Sequence, residues 1–416
     1  MSTCDSEKAY RGTARYWRFS KYLVPQDLSA LSLGGAPAPR QLVSAHDLAN
    51  SHPDLVQVQD LGSNVTREPL ALRKIFLGQL ETVEFPPDKF YPQHINHYRD
   101  CGAVGRHSAI VGPDRSLVAD YGYYVGSHSR IHQIPLGRWN PAFWRYCWLN
   151  DLRYRYQIPA PQRIDGTVAV LNNPWCHNYY HWLLEILPRI ELLRRGQQTC
   201  DHYLIECQSG YQRRALELLG IPKQNIIQPN YALHLRADKL LRPTTPDSQA
   251  WHSLAQAIKQ NLETTSQNGT RPNPRRIYIS RRQAAHRKVV NEDQLEQLLS
   301  RYGFESHSFE STDFARQVQL LDGAEAIVAV HGAALANLIF AKPGARVVEI
   351  YPMNRYNLDC FPRVSAEMGH EHVSVTAKSS RYRQNLHVEL DDIAAALDLL
   401  SIKPCGKSRS GSAQAA

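Results

Sequence analysis

The feature that most constrains the fold is an alternation of short apolar strands with amphipathic helices, which begins near residue 165. The strand-like segments are GTVAVLNN, HYLIEC and NIIQ, followed after a polar stretch by RRIYIS, AIVAV and RVVEIY. Helical segments lie between and after them, among them WLLEILPRIELL, YQRRALELLGI and LDDIAAALDLL. Strands that alternate with helices are typical of a parallel sheet. We therefore predict an α/β fold.

Changes in composition and period divide the chain into five segments. Before residue 165, Tyr, Trp, Val and Ile are concentrated in short strand-like pieces with turn residues between them. We predict an irregular N-terminal segment at 1–70, a β-rich region at 71–164, an α/β domain at 165–263, a second α/β domain at 264–403 and a disordered tail at 404–416.

Polar residues follow several of the predicted strands. In an open parallel sheet, ligands bind beyond the carboxyl ends of the strands. The residues at those ends are Asn172 and Asn173, Ser280 and Arg281, His331, Gly332 and Ala333, and Glu349. We therefore expect a ligand site to be built from these positions.

The segment AVHGAALAN leads from a predicted strand into a helix through small residues. Small side chains let a phosphate approach the backbone N–H groups at the start of a helix, where the dipole is positive. Without a full G-x-G-x-x-G, a dinucleotide site is weakly supported, and a tight packing turn is the alternative. At the next strand, Glu349 stands where an acid can accept hydrogen bonds from ribose hydroxyls.

The loop after the RRIYIS strand is strongly basic, with five cationic or imidazole side chains in the sequence RRQAAHRK. A run of charges is usually a solvated surface. Guanidinium groups also bind phosphate through paired donors, and Arg281 lies nearest the strand end. We therefore predict that Arg281 holds a diphosphate.

Four polar residues share one side of the helix that follows the first strand: Asn178, His181, Glu185 and Arg189. A carboxylate four residues from an imidazole can orient it and raise its basicity, and either group could accept a proton from an alcohol. The alternative is an ordinary exposed i,i+4 pair. Pro188 should kink this helix.

Bulk properties narrow the function classes without selecting one. A net charge of +9 favours anionic partners such as phosphorylated metabolites, anionic lipid or nucleic acid. The eight cysteines include no C-x-x-C pair and fit a reducing compartment. No metal-ligand cluster is evident, so we expect neither metal nor cofactor. The N-terminus lacks the apolar core of a signal peptide, so we expect a cytoplasmic protein, with a peripheral position at the inner face of the membrane as an alternative.

Three motifs, in order along the chain, resemble those of glycosyltransferase family 61, a group once described as capsular polysaccharide biosynthesis proteins. The first is N-x-x-H-x-x-x-[DE] on a helix, formed here by Asn178, His181 and Glu185. The second is the strand end IYISRR, and the third is HGAALANLIFAKPGARVVEIYP. The resemblance extends over roughly residues 80–400, and the third motif is the most specific.

The resemblance implies a GT-B architecture, in which two Rossmann-like domains face each other with a nucleotide-sugar between them. It also implies inversion at the anomeric carbon, usually without metal. The donor-binding residues that it implies are Ser280, Arg281, His331, Gly332, Ala333, Asn337 and Glu349. On the acceptor side it implies Asn178 and Tyr179, with His181 and Glu185 as the catalytic residues. The acid position varies between Asp and Glu in the family, which favours Glu185 over His181 as the base.

The expected function is therefore inverting transfer of a sugar from a nucleotide-sugar to a hydroxyl of a glycan or lipid-linked saccharide, in a bacterial, cytoplasmic protein. Peripheral contact with an anionic membrane is compatible with the charge, and no nucleic-acid partner is expected. One alternative is a nucleotide-sugar epimerase or hydrolase of the same fold. The other is a non-catalytic basic protein that binds nucleic acid or a membrane surface.

Overall fold

The computed structural model describes residues 36–37, 41–43, 45–62, 66–67, 69–89, 92–106, 108–113, 116–118, 157–158, 160–173, 175–230, 233–265, 275–353, 359–380 and 384–405. They fall into two compact units, each of which is described by itself. Unit 1 takes in the described residues of Met1–Asn64, Tyr91–Gln208 and Ile221–Ala250, and unit 2 those of Val65–Phe90, Ser209–Gly220 and Trp251–Ala416.

The strands are short and occur along the whole described chain. In chain order they are β1 (Ala36–Pro37), β2 (Gln41–Val43), β3 (Val56–Asp60), β4 (Thr66–Arg67), β5 (Leu70–Phe76), β6 (Gln79–Phe85), β7 (Asp88–Lys89), β8 (His94–Tyr98), β9 (Gly102–Val104), β10 (Ala109–Val111), β11 (Ser116–Val118), β12 (Gln157–Ile158), β13 (Gln162–Val170), β14 (His202–Leu204), β15 (Ile226–Ile227), β16 (His234–Pro243), β17 (Arg276–Ser280), β18 (Glu305–Ser308), β19 (Ala326–Val330), β20 (Arg346–Pro352), β21 (Glu371–Ser379) and β22 (Leu386–His387).

Helices of three kinds connect these strands. The α-helices are α1 (Ala45–Ser51), α2 (Tyr179–His181), α3 (Arg189–Arg195), α4 (Gly210–Leu218), α5 (Ser248–Thr265), α6 (Glu292–Arg301), α7 (Phe314–Gly323), α8 (Cys360–Glu367) and α9 (Leu390–Leu399). A π-helix spans Trp182–Ile186, and 3-10 helices span Lys223–Asn225 and Ala333–Phe340.

Unit 1 is built on a mixed sheet of ten strands. Its main path is β15-β14-β13-β16-β9-β10-β11-β2, and β8 pairs with both β16 and β3. The pairs from β15 to β16 are parallel, whereas β16 pairs antiparallel with β8 and β9. Residues 168–170 of β13 are fully buried, as expected for a strand covered on both faces. The carboxyl end of β13 is thus buried, and Asn172 and Asn173 follow it.

Unit 2 is built on a second sheet in the order β18-β17-β19-β20-β21-β5-β6, with β22 beside β21. All pairs from β18 to β5 are parallel. Every residue of β19 is buried, and its side chains pack with those of β20 and with α6 and α9 in one core cluster. The carboxyl ends of β17 and β19 therefore lie side by side.

The edge of the unit 2 sheet is a hairpin whose turn needs positive φ angles. Leu77 and Gly78 have φ of 50° and 77° and connect β5 to β6, in which Phe76 pairs with Gln79. A two-residue turn with both φ positive matches the twist of the strands. The carboxylate of Asp392 accepts both turn N–H groups, at 2.9 and 2.7 Å, which fixes the hairpin to α9.

The structure agrees with the predicted alternation after residue 165 and differs before it. The α/β fold is confirmed, with two multi-stranded sheets. The β-rich region predicted at 71–164 is divided, because β5 and β6 join the unit 2 sheet while β8 to β11 join that of unit 1. Helix α1 and strand β3 occupy part of the segment expected to be irregular. The predicted tail lies outside the described residues beyond Cys405.

In the described part of the chain, no helix is both long enough and apolar enough to cross a bilayer.

Candidate active site

The helix predicted after β13 is interrupted in unit 1. Helix α2 continues into the π-helix Trp182–Ile186, where Leu187 N donates to the carbonyl of Trp182 at 2.9 Å, an i to i+5 bond. Pro188, which has no N–H, stands before α3. The α-helical pattern is thus broken around Pro188, where the sequence predicted a kink, and π-turns of this kind are frequent at functional sites.

His181 and Glu185 face each other at this turn. Nδ1 of His181 lies 2.8 Å from Oε1 of Glu185. Their side chains are 28% and 30% exposed, respectively. The pair that the sequence predicted is therefore formed, and it is accessible from solvent.

Two residues just beyond β13 hold this pair in place. Asn173, which is 2% exposed, donates its Nδ2 to Oε2 of Glu185 at 2.9 Å, and its Oδ1 accepts Trp175 N at 2.8 Å. The Trp175 ring stacks on the His181 ring, with centroids 5.7 Å apart and planes 26° apart. We call Asn173, Trp175, His181 and Glu185 the His181 group.

Asn178 and Tyr179, the predicted acceptor-side residues, lie at the start of α2. Asn178 is exposed and caps the helix, because its Oδ1 accepts Tyr180 N at 2.9 Å. Tyr179 is half-buried as the first helical residue. The Tyr180 ring meets the His181 ring edge-on at 5.1 Å. Asn178 thus fixes where the helix begins, and a contact of Asn178 or Tyr179 with an acceptor stays a prediction.

Arg189 does not continue the polar side of the helix that the sequence predicted. Its side chain is 1% exposed, and Nη1 donates to the carbonyl of Leu171 at 2.7 Å. A π-turn holds one residue more than an α-turn, so the positions after it are rotated relative to His181 and Glu185. Arg189 is therefore turned inward, where it supports the end of β13.

A second carboxylate, Glu206, is buried beside the end of β14 and was not among the predicted site residues. Its backbone N donates to Oδ1 of Asn172 at 2.8 Å, and its Oε1 lies 3.5 Å from Nη2 of Arg106. Burial, together with the charge of Glu206, raises the pKa of the neighbouring Cys176 thiol to about 12. The same strand-end rule would have selected Glu206, because this residue lies at the carboxyl end of the predicted strand HYLIEC.

In unit 2, Arg281 lies against Gly332, as expected for neighbouring strand ends. A Cβ built on Gly332 would lie only 2.7 Å from Nη1 of Arg281. The backbone φ of Gly332 is 179°, which any residue can adopt. A side chain at this position would therefore force the Arg281 guanidinium to move. Nε and Nη2 of Arg281 also bond the carbonyl of His286, at 3.3 and 3.0 Å.

A second guanidinium, that of Arg287, reaches the same turn. Its Nη1 donates to the carbonyl of His331 at 2.5 Å, and its backbone φ is +60°, an uncommon conformation for a non-glycine residue. We call Arg281, Arg287 and Gly332 the arginine turn. Nothing in the sequence distinguished Arg287 from the other cations of the basic loop, because its contact with His331 joins residues 44 positions apart.

Ser280 and Arg282 flank Arg281 but are turned toward acidic partners. The Ser280 hydroxyl donates to Oε1 of Glu292 at 2.7 Å. Arg282 is exposed and bonds Asp293 and Glu296, at 2.7 and 2.9 Å. Ser280 thus anchors the strand end to α6, and Arg282 belongs to the solvated surface.

Glu349 lies within the unit 2 sheet, because β20 continues to Pro352. Its carboxylate is fully buried and lies 2.5 Å from Nδ1 of His331 and 3.1 Å from Nε2 of His372. Ser365 Oγ lies 2.8 Å from the other nitrogen of His372. This differs from the predicted contact with ribose hydroxyls, because both carboxylate oxygens are already bonded inside the protein.

The charge of Glu349 is set by opposing effects. Burial raises the pKa of this carboxyl, but the positive charge of His331 and the hydrogen bonds from His331 and His372 outweigh burial and lower it to about 2. The imidazole of His331 is itself 4% exposed. An ionised Glu349 therefore anchors the His331 side chain beneath the arginine turn.

Asn337 and Ala333 lie in the 3-10 helix Ala333–Phe340. Asn337 is fully buried, and its Nδ2 donates to Oε1 of Gln317 at 3.1 Å and to the carbonyl of Ala334 at 3.0 Å. Asn337 thus fastens this helix to α7, in place of the donor contact that the resemblance implied. Ala333 is half-buried at the first position of the helix, where backbone N–H groups have no partner within the helix.

Within the described ranges, no group of three or more His, Cys, Asp or Glu side chains could hold a metal ion.

Comparison with known proteins points to one family. Residues 179–348 match the family described as Glycosyltransferase 61. This span includes His181 and Glu185 in unit 1 and the whole arginine turn in unit 2. Asn178 and Glu349 lie just outside its two ends.

A relative was found over a shorter stretch. Over 70 residues the chain is 31% identical to the xylan glycosyltransferase MUCI21 of Arabidopsis thaliana. The match covers 16% of this chain and 14% of that protein. Residues 179–348 are thus similar to the glycosyltransferase 61 family, and a shorter stretch is similar to a xylan glycosyltransferase.

Proposed function

We propose that this protein is an inverting glycosyltransferase that moves a sugar from a nucleotide-sugar to a hydroxyl of a glycan or lipid-linked saccharide. The observation that carries the proposal is the pair of arrangements inside the family-matching span. One is an imidazole–carboxylate pair, and the other is a glycine turn flanked by two guanidinium groups. The first suits proton transfer and the second suits a diphosphate.

The arginine turn is the donor-binding part of the proposal. Arg281 and Arg287 present charge-assisted donors, which are the groups that bind phosphate best. They stand at the carboxyl ends of parallel strands, where ligands of such sheets bind. Positive charge held here stabilises the nucleotide as it leaves with its phosphate. Because the two guanidinium groups supply that charge, the proposal assigns no step to a metal.

The His181 group is the transfer part of the proposal. Single-step inversion needs a group that takes the proton of the attacking hydroxyl. His181 and Glu185 are such groups, and both remain partly exposed. A saccharide acceptor is supported by the name of the matched relative, a xylan glycosyltransferase, and the proposal names no individual acceptor.

The proposal is tested by ligand binding followed by turnover. Thermal unfolding is measured with UDP-, GDP-, CMP- and dTDP-sugars, because a ligand at 100 times its Kd stabilises the native state by about 2.7 kcal/mol. With the donor that raises the Tm, release of nucleotide is then measured with and without a panel of oligosaccharides. Release that depends on an oligosaccharide supports transfer.

Two other results would replace the proposal. Turnover of the nucleotide-sugar without any acceptor would indicate an epimerase or hydrolase. Salt-sensitive binding to DNA or to anionic vesicles, without nucleotide affinity, would indicate a surface binder.

A further inference from the structure

Both oxygens of Glu185 are already occupied within the His181 group. Oε1 lies 2.8 Å from Nδ1 of His181, and Oε2 accepts Nδ2 of Asn173 at 2.9 Å. A proton taken up by Glu185 would compete with one of these two hydrogen bonds. This arrangement suits a carboxylate that orients its neighbour.

The orientation of the Asn173 amide is fixed by the backbone. Trp175 N–H needs an acceptor, so the atom that it meets at 2.8 Å is the amide oxygen of Asn173. The amide N–H₂ must then face Glu185. Since Asn173 is buried, the donor is held at this position.

The same chain of bonds determines the tautomer of His181. A carboxylate only accepts hydrogen bonds, so Nδ1 of His181 carries the proton that it donates to Glu185. The lone pair of the neutral ring is then on Nε2. Stacking of Trp175 on the imidazole at 5.7 Å restrains the plane of the ring. His181 keeps 28% of its side chain exposed, so a hydroxyl can reach the ring.

We propose that His181 is the general base of the transfer and that Glu185 and Asn173 are positioning residues acting through it, an inference that rests on the proposed function. The acceptor oxygen bonds to the anomeric carbon, and the bond from that carbon to the phosphate oxygen breaks. The electron pair leaves with the nucleotide, and the hydroxyl proton passes to Nε2 of His181. The resulting imidazolium keeps its Nδ1–H on Glu185. This reverses the preference for Glu185 that the family pattern gave.

Substitutions of Asn173 can remove one of its two hydrogen bonds or both. Asn173→Asp keeps an oxygen for Trp175 N but replaces the donor facing Glu185 with a second acceptor. Asn173→Ala removes both hydrogen bonds. Loss of the donor alone should lower kcat about tenfold or more, while the Kd for the nucleotide stays unchanged. A residue that only shaped the turn would leave Asn173→Asp with the kcat of the wild type.

The base itself is tested with His181→Gly. This variant should lose about 10²–10⁴-fold in kcat and regain turnover as imidazole is added to the medium. Combined with His181→Gly, Asn173→Ala should have no further effect on kcat, because Asn173 acts only through the imidazole. Nucleotide affinity, measured by calorimetry, reports that each variant is folded.

The inference is overturned if His181→Gly retains the turnover of the wild type, or if the effects of Asn173→Ala and His181→Gly on kcat simply multiply. Asn173→Asp with normal kcat would overturn the role of Asn173. A wild-type protein that transfers no sugar at all would instead refute the proposed function, before any variant is compared.

Discussion

Alanine at Gly332 should leave the fold intact and weaken nucleotide binding. The added Cβ would lie 2.7 Å from Nη1 and 3.4 Å from Cζ of Arg281. The guanidinium must therefore withdraw until Nη1 is at least 3.4 Å away, where ordinary contacts begin. The backbone of Gly332 is extended, and the displaced atoms end a flexible side chain, so folding should cost little.

The magnitude follows from what Arg281 contributes. Removing the side chain in Arg281→Ala abolishes charge-assisted hydrogen bonds worth roughly 1.5–3 kcal/mol. That range corresponds to a Kd about 10–150 times higher. Gly332→Ala displaces the same group, and hydrogen bonds weaken steeply when misaligned. We therefore expect Gly332→Ala to raise the Kd by about tenfold.

The assay is a calorimetric titration. The titrant is the nucleotide part of the nucleotide-sugar that gives the largest rise in Tm. Arg282→Ala is the matched control, because this neighbouring arginine is exposed and bonded to Asp293 and Glu296. Its affinity should equal that of the wild type. The double variant Gly332→Ala/Arg281→Ala should bind like Arg281→Ala alone, since the methyl group acts by displacing Arg281.

Either of two results would refute this reasoning. Equal affinity of wild type and Gly332→Ala would show that the position of Arg281 does not matter for the nucleotide. A further loss of affinity on adding Gly332→Ala to Arg281→Ala would show that the methyl group obstructs the ligand itself.

Three further predictions concern buried polar residues that hold the candidate site in place. The folded-state pKa of Glu349, about 2, lies below its ordinary value of 4.5. Ionised Glu349 should therefore contribute ~3 kcal/mol to the unfolding free energy above pH 4.5, and this contribution is lost as the pH falls toward 2. In urea titrations across that range, Glu349→Gln should lack this pH-dependent part of the unfolding free energy. Asn337→Ala should lower the unfolding free energy by about 1–3 kcal/mol in urea, because Gln317 loses a buried donor, and an unchanged midpoint would contradict this. Arg189→Met should cost about 1–3 kcal/mol by leaving the buried carbonyl of Leu171 without this donor, and a variant as stable as wild type would show that the bond contributes nothing.

The sequence predicted the strands and helices that have a periodic or continuous apolar pattern, and it missed side-chain contacts that leave no such pattern. Apolar runs such as 326–330 predicted strands correctly, because burial on both faces leaves a continuous hydrophobic signal. The strand-end rule brought Arg281 and Gly332 together correctly. The π-turn was missed because Asn178, His181, Glu185 and Arg189 were read with one uninterrupted α-helical period, and Arg189 was therefore assigned to the wrong side of the helix.

The positions of the polar side chains depended on where each strand ends. Glu349 was expected at an exit, but β20 runs three residues further, to Pro352. Its partner His372 comes from a different strand, and no local pattern in one sequence reveals that pairing. Asn173 likewise became interpretable only when the structure showed its amide between Glu185 and Trp175.

The central claim is inverting transfer from a nucleotide-sugar, and the anomeric configuration of the product tests it most directly. A ¹H NMR time course is recorded with the wild-type protein, the nucleotide-sugar that stabilises it and an oligosaccharide that supports nucleotide release. The account predicts a new anomeric signal on the oligosaccharide with the configuration opposite to that of the donor, growing as the donor is consumed. A product that retains the donor configuration, or free sugar in place of a new linkage, would contradict it.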